Sequence, residues 1–157
     1  MKRLIAMLTV GTLALAGCAS GAGKAPVPPA PDVPIAGNLP AQDLEPGECG
    51  LFLWTQGDPR RFIYFSRAGA STAETMLAEA QQTLAMVRQG GSLFGQFMTE
   101  MDYIGPESES VFLKITPGET VEGGQKISSG RITLLNSGGW ETVIPVSGLR
   151  ACQPDTE

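Results

Sequence analysis

The chain predicts a mainly β domain, a small antiparallel barrel or sandwich of about six to eight strands. Three observations carry this reading. Short segments rich in aromatic and β-branched residues recur from Cys49 onward. Gly, Pro, Asn and Asp separate them at intervals of roughly ten to fifteen residues. Two cysteines, Cys49 and Cys152, stand at the two ends of the patterned region.

The elements follow in order. Cys49-Gly-Leu-Phe-Leu-Trp54 is a continuous apolar run that fits a buried strand. Gln56-Gly-Asp-Pro59 has turn composition, and Arg61-Phe-Ile-Tyr-Phe-Ser66 pairs back as a hairpin. In Phe62-Ile-Tyr-Phe65 both alternating faces are apolar, so one face is core and the other is either a partner surface or a second buried layer. Residues 72–88 fit two elements. Ser71-Thr-Ala-Glu74 reads as a capping box, and Ala73, Met76, Leu77, Ala80, Leu84 and Val87 keep helical spacing up to Gly90-Gly91. The same residues also divide into two short strands, Thr75–Leu77 and Thr83–Arg88. Local signals favour one short helix; the strand-rich surroundings favour the hairpin. Leu93–Met98, extended by Met101–Ile104, and Val111–Thr116 then read as strands, with Pro117-Gly118 as a turn. Thr120–Glu122 reads as an edge strand, and Lys126–Leu135 and Trp140–Val146 flank the turn residues Asn136-Ser-Gly-Gly139. Gly148–Cys152 closes the chain.

Residues 1–46 have a different character. Lys2 and Arg3 precede Leu4–Ala16, an apolar run broken only by threonines and a glycine, and shorter than the about 20 residues that span a bilayer. It suits a secretory signal. Leu15-Ala16-Gly17-Cys18 resembles the lipobox of bacterial lipoproteins. The resemblance implies cleavage before Cys18, a diacylglycerol on its sulfur and a fatty acyl chain such as palmitate on the new N-terminus. Each buried methylene contributes about 0.8 kcal/mol, so two or three chains anchor a protein firmly. Ala19 follows where the enteric sorting rule places Asp for inner-membrane retention. The expected address is therefore the periplasmic side of the cell envelope, the outer membrane rather than the inner.

The expected boundaries are 1–17 for the signal peptide, 18–46 for the lipidated cysteine and tether, 47–153 for the β domain and 154–157 for a tail. The tether holds Pro26, Pro28, Pro29, Pro31, Pro34, Pro40 and Pro46, more than half of the chain's 12 prolines, and no aromatic residue. Such a segment favours extended polyproline II conformations and reaches at most about 85 Å.

With Cys18 lipidated, Cys49 and Cys152 remain as an even pair in an exported protein, which reads as a disulfide; the alternative is two buried free thiols. Across a loop of about 100 residues the bond would be worth roughly 4–5 kcal/mol in the chain-entropy model.

Function is bounded mostly by exclusions. The formal net charge is −5 and falls by two more units when Lys2 and Arg3 are removed. That argues against nucleic acid, whose binding needs basic contacts to phosphate. The chain has no histidine, which removes the Ser-His-Asp and Cys-His machineries and the commonest metal ligand. No GxSxG or SxxK motif is present, and Ser110 and Lys114 lie too far apart along one strand to hydrogen-bond. Glu100, Asp102, Glu107 and Glu109 make an acidic stretch without the DxDxDG order of a calcium loop. No glycine pair opens a helix after a strand, so no nucleotide loop is expected. Arg60, Arg61 and Arg67 flank the second strand and could hold a carboxylate, a phosphate or a partner.

The expected function is a non-enzymatic envelope lipoprotein, with no metal or cofactor. It would bind the membrane through Cys18 and present its domain to an envelope protein or to peptidoglycan. The domain resembles proteobacterial envelope lipoproteins. Its layout of anchor, β domain and disulfide also resembles membrane-bound lysozyme inhibitors of the C-type class, with Gly90-Gly-Ser-Leu-Phe-Gly95 nearest to that family's Ser-Gly loop. A basic lysozyme would be drawn to an acidic inhibitor. A small carboxylate- or metal-dependent enzyme is the third reading. Replacement of Cys18 by Ser should abolish acylation and leave the protein in the aqueous periplasmic fraction; metabolic labelling with a fatty acid and membrane fractionation read this directly.

Overall fold

The computed structural model describes residues 37–77 and 80–155; Cys18, the signal and the tether up to residue 36 lie outside them. Eight strands form a closed antiparallel barrel in sequence order: β1 (Cys49–Thr55), β2 (Phe62–Arg67), β3 (Thr72–Leu77), β4 (Ala80–Phe94), β5 (Phe97–Ile104), β6 (Ser110–Val121), β7 (Gly124–Leu135) and β8 (Glu141–Cys152). Each strand pairs with the next, and β8 returns to β1 over the whole of β1, from Cys49 opposite Cys152 to Thr55 opposite Val146. The cysteines form a disulfide across 103 residues. Gly148 lets β1 and β8 approach, because a side chain there would strike the Phe52 carbonyl.

Strand alternation sorts the side chains. Leu51, Leu53, Tyr64, Leu84, Met101, Tyr103, Leu113, Ile132 and Val146 fill the core, each nearly inaccessible. The outer wall of β4–β7 carries Arg88, Glu100, Asp102, Lys114 and Arg131. An apolar inside and a charged outside invert the pattern of a bilayer-spanning barrel, and no helix among the described residues is long and apolar enough to cross a membrane.

The described residues of 72–88 form no helix. They fall in β3 and β4, paired from Thr72 opposite Ala85 to Leu77 opposite Ala80. Glu74, the capping-box acid, instead receives hydrogen bonds from Thr83 (2.9 Å) and Gln81 (3.3 Å) across the hairpin. Local propensity is a weak force beside the pairing of both strand edges, which a closed barrel requires of every strand. Gly90-Gly91 does not end an element either. It lies within β4 at a register shift, where Gly91 takes φ +80°. The segment Leu93–Met98 is the tip of the β4–β5 hairpin rather than one strand, and Gly148–Cys152 continues β8 without a break.

The two apolar faces of Phe62–Phe65 have separate partners. Tyr64 points into the barrel. On the outside, Phe52, Trp54, Phe62 and Phe65 form an aromatic cluster with centroids 5.0–6.4 Å apart. Residues 37–46, the last part of the expected tether, lie along this outer face. Leu39 is 4% exposed and its N–H donates to the Phe62 carbonyl at 2.8 Å. Asn38 Oδ1 accepts from the Phe62 N–H, and Leu44 packs over Gly50 beside Phe65. The proline-rich composition of this stretch disguised a strap with two apolar anchors.

Reduction of the disulfide, or the Cys49→Ala/Cys152→Ala variant, should lower stability by roughly 2–5 kcal/mol. The check is the midpoint of urea unfolding monitored by far-ultraviolet circular dichroism.

Candidate functional site

The barrel interior is filled by packed side chains. Its polar centre is Tyr64 and Tyr103, whose hydroxyls lie 2.6 Å apart. Tyr64 also donates to Ser66 Oγ at 3.2 Å, and Tyr103 lies 3.4 Å from Met101 Sδ. Both rings are at most 1% exposed. Burial, reinforced by the neighbouring phenol, pushes the Tyr64 hydroxyl well above the usual tyrosine range, and burial pushes Tyr103 up to about 12. The pair satisfies its own hydrogen bonds where no substrate can reach.

The acidic stretch disperses. Glu100 and Asp102 face outward on β5, Glu100 accepting from Lys114 at 2.5 Å and Asp102 from Arg88 at 2.6 Å. The hydrogen bond and charge of Lys114 hold the Glu100 carboxyl below its ordinary range. Glu107 and Glu109 belong to the β5–β6 turn, where Glu109 accepts from the Glu107 N–H. Among the described residues no three His, Cys, Asp or Glu side chains converge as a metal site would need. Ser110 and Lys114 also stay apart, since Lys114 is occupied by Glu100.

The three arginines do not form one clamp. Arg67 lies at the far end of β2, where it pairs with Glu48 (3.3 Å), donates to the Asp43 carbonyl (2.8 Å) and sits over the Phe65 ring (5.0 Å). Those contacts fasten the strap. Arg61 gives its N–H to Thr55 Oγ1 and closes the β1–β2 turn. Arg60 is exposed and has no carboxylate partner among the described residues. Its turn is held by Gln56, whose side chain donates to the Val146 carbonyl at 2.9 Å.

Arg60 borders an open groove of about 670 Å³ on the outer wall. Trp54, Leu149, Ser147, Lys126 and Glu119 line it with Arg60. Bulges shape it. The β1–β2 register shifts between Leu53 and Trp54, the β6–β7 register between Thr116 and Thr120, and the β7–β8 register between Ile127 and Gly130. Bulges re-aim side chains and break the regular wall, and here three of them border one depression. The Trp54 ring is fixed by Phe62 at 5.1 Å and Phe52 at 6.4 Å. Lys126 hydrogen-bonds and pairs with Glu119, which lowers the Glu119 carboxyl and keeps it ionised.

A second exposed feature is apolar. Ile104, Phe112, Leu135 and Val143 stand outward on β5–β8, and Trp140 in the β7–β8 turn is 70% exposed.

No protein family, curated protein or solved structure shows significant similarity to the chain.

Sequence reading reached Arg60 and placed Trp54 in the core. It missed Lys126, Ser147 and Leu149, because nothing in one sequence says that β7 and β8 bring them beside the β1–β2 turn. One signal was available: Pro117-Gly118 and Ser128-Ser129-Gly130 place turn-type residues within strands, which marks bulges.

The chain has two tyrosines, both in the core, so phenolate absorbance near 295 nm is a direct probe. Little should appear at pH 10–11. In that window the native state keeps a proton that the unfolded state releases. The stabilisation is thus present below about pH 10 and is lost as pH rises through the folded value of about 12.

Proposed function

We propose that this chain is a non-enzymatic, lipid-anchored envelope protein whose barrel binds another envelope component through the Trp54–Arg60 groove. The observation that carries the reading is where accessible chemistry lies. The interior is filled by side chains that satisfy one another, while the groove offers a fixed aromatic face, an unpaired guanidinium and an acid–base pair at its rim. A concave site with an apolar floor and a few convergent polar groups is the usual form of a ligand site.

The rest of the architecture agrees with tethered binding. The Leu15–Cys18 lipobox supplies the anchor, on the outer membrane facing the periplasm, and the proline-rich segment supplies reach. The strap runs from Asn38 beside Phe62 to Asp43 beside Arg67, so its Asn38 end lies near the β1–β2 turn that carries Arg60.

The test is a photocrosslinking residue at Ser147 in the full lipidated chain in cells, compared with one at Gln81, an exposed position on β4. A dominant adduct, protein or glycan, should form from Ser147 and be absent from Gln81. Equal capture at both positions would remove the groove from the reading. Hydrolase activity of the purified chain that a single substitution abolishes would remove the non-enzymatic assignment.

A further inference from the structure

The groove's chemistry selects a class of ligand, an inference that rests on the binding role proposed above. We infer that it takes a carboxylate-bearing carbohydrate, with a sugar ring stacked on Trp54 and the carboxylate held by Arg60. Trp54 supplies a rigid, partly buried indole whose position is set by Phe52 and Phe62, so little is lost in ordering it when a flat ligand face lies against it. Leu149 lines the groove with Trp54, and the two supply apolar surface for the C–H face of a sugar.

Polar groups stand around that surface in the mixture sugar hydroxyls require. A hydroxyl both donates and accepts. Lys126 donates, Glu119 accepts, and the Ser147 hydroxyl does either. An apolar peptide would leave this rim unmatched. Arg60 adds the charge selection. It is exposed, borne on a turn tied to β8 through Gln56, and free of any carboxylate among the described residues, whereas Arg67, Arg88, Lys114 and Lys126 are each already paired. Its fork can meet a carboxylate with two parallel hydrogen bonds. With Lys126 balanced by Glu119, Arg60 leaves the groove one positive charge in a chain whose net charge is −5. An acidic ligand therefore finds attraction at this part of the wall, against the repulsion of the surface as a whole.

The test uses the full mature chain with Trp140→Phe, which leaves Trp54 as the only tryptophan. Its emission is followed during titration with three probes: an N-acetylglucosamine tetramer, a tetramer of alternating N-acetylglucosamine and N-acetylmuramic acid, and a short acidic peptide. The acidic tetramer should give a saturable change. The neutral tetramer should bind about tenfold more weakly, and Arg60→Ala should bring the acidic tetramer to the same level. Arg60→Lys should recover only part of the loss, because it keeps the charge and removes the fork. Saturable binding of the peptide alone, or no response to either tetramer, would overturn the inference. In that case a specific adduct from Ser147 in cells would still uphold the groove as a binding site, while its absence would overturn both.

Discussion

Closure of β8 onto β1 is the constraint on which the rest of this structure depends. The first and last strands of the barrel are the farthest apart in sequence, and their pairing is the most costly in chain entropy. Four features secure it: full-length register from Cys49–Cys152 to Thr55–Val146, the disulfide at one end, Gly148 where a side chain would strike the Phe52 carbonyl, and Gln56 bonded to Val146 at the other end. Closure removes both sheet edges. It also dictates the fate of every segment between, since each must supply a strand paired on both sides. Residues 72–88 illustrate the force of this demand, with helical spacing and a capping box overruled by ladders on β2 and β5.

A closed barrel with eight strands has an interior just wide enough for side chains to fill. The Tyr64–Tyr103 pair shows how that space accepts polar atoms: hydroxyls meeting each other, Ser66 and the Met101 sulfur. With the inside committed to packing, the accessible chemistry lies on the outer wall. The outer wall is divided. The strap covers the β1–β2 aromatic face, ion pairs cross β4–β6, and apolar side chains stand outward on β5–β8. The bulged wall formed by β6, β7, β8 and β1 holds the groove. Exposed ion pairs of this kind add little net stability, so the outer charges matter more for the field at the wall than for holding it together.

Much of the fold was legible from local chemistry. The all-β character, the segments from Cys49, Phe62, Val111 and Lys126, and the Asn136–Gly139 turn followed from β-branched and aromatic runs separated by turn residues. The pairing of Cys49 with Cys152 followed from cysteine count and export. Residues 37–46 were misleading because they continue a proline-rich segment, while burial of Leu39 and Leu44 depends on an aromatic face built by β1 and β2. Pro117-Gly118 read as a turn for a similar reason: residues that end strands also make bulges within them. Of the groove, the sequence exposed Arg60 as a flanking arginine and little more.

By itself, then, the sequence determined the class of structure and the covalent clasp, because each is written in neighbouring residues or in composition. Tertiary structure alone decided that the sheet closes, that residues 72–77 and 80–88 are strands, that the strap covers one face, and that Trp54, Arg60, Lys126 and Ser147 share a groove. The physical reason is common to all four. Each depends on which strand lies beside which, and in what register. Those choices are set by the summed burial and hydrogen bonding of the whole barrel, to which no single segment holds the answer.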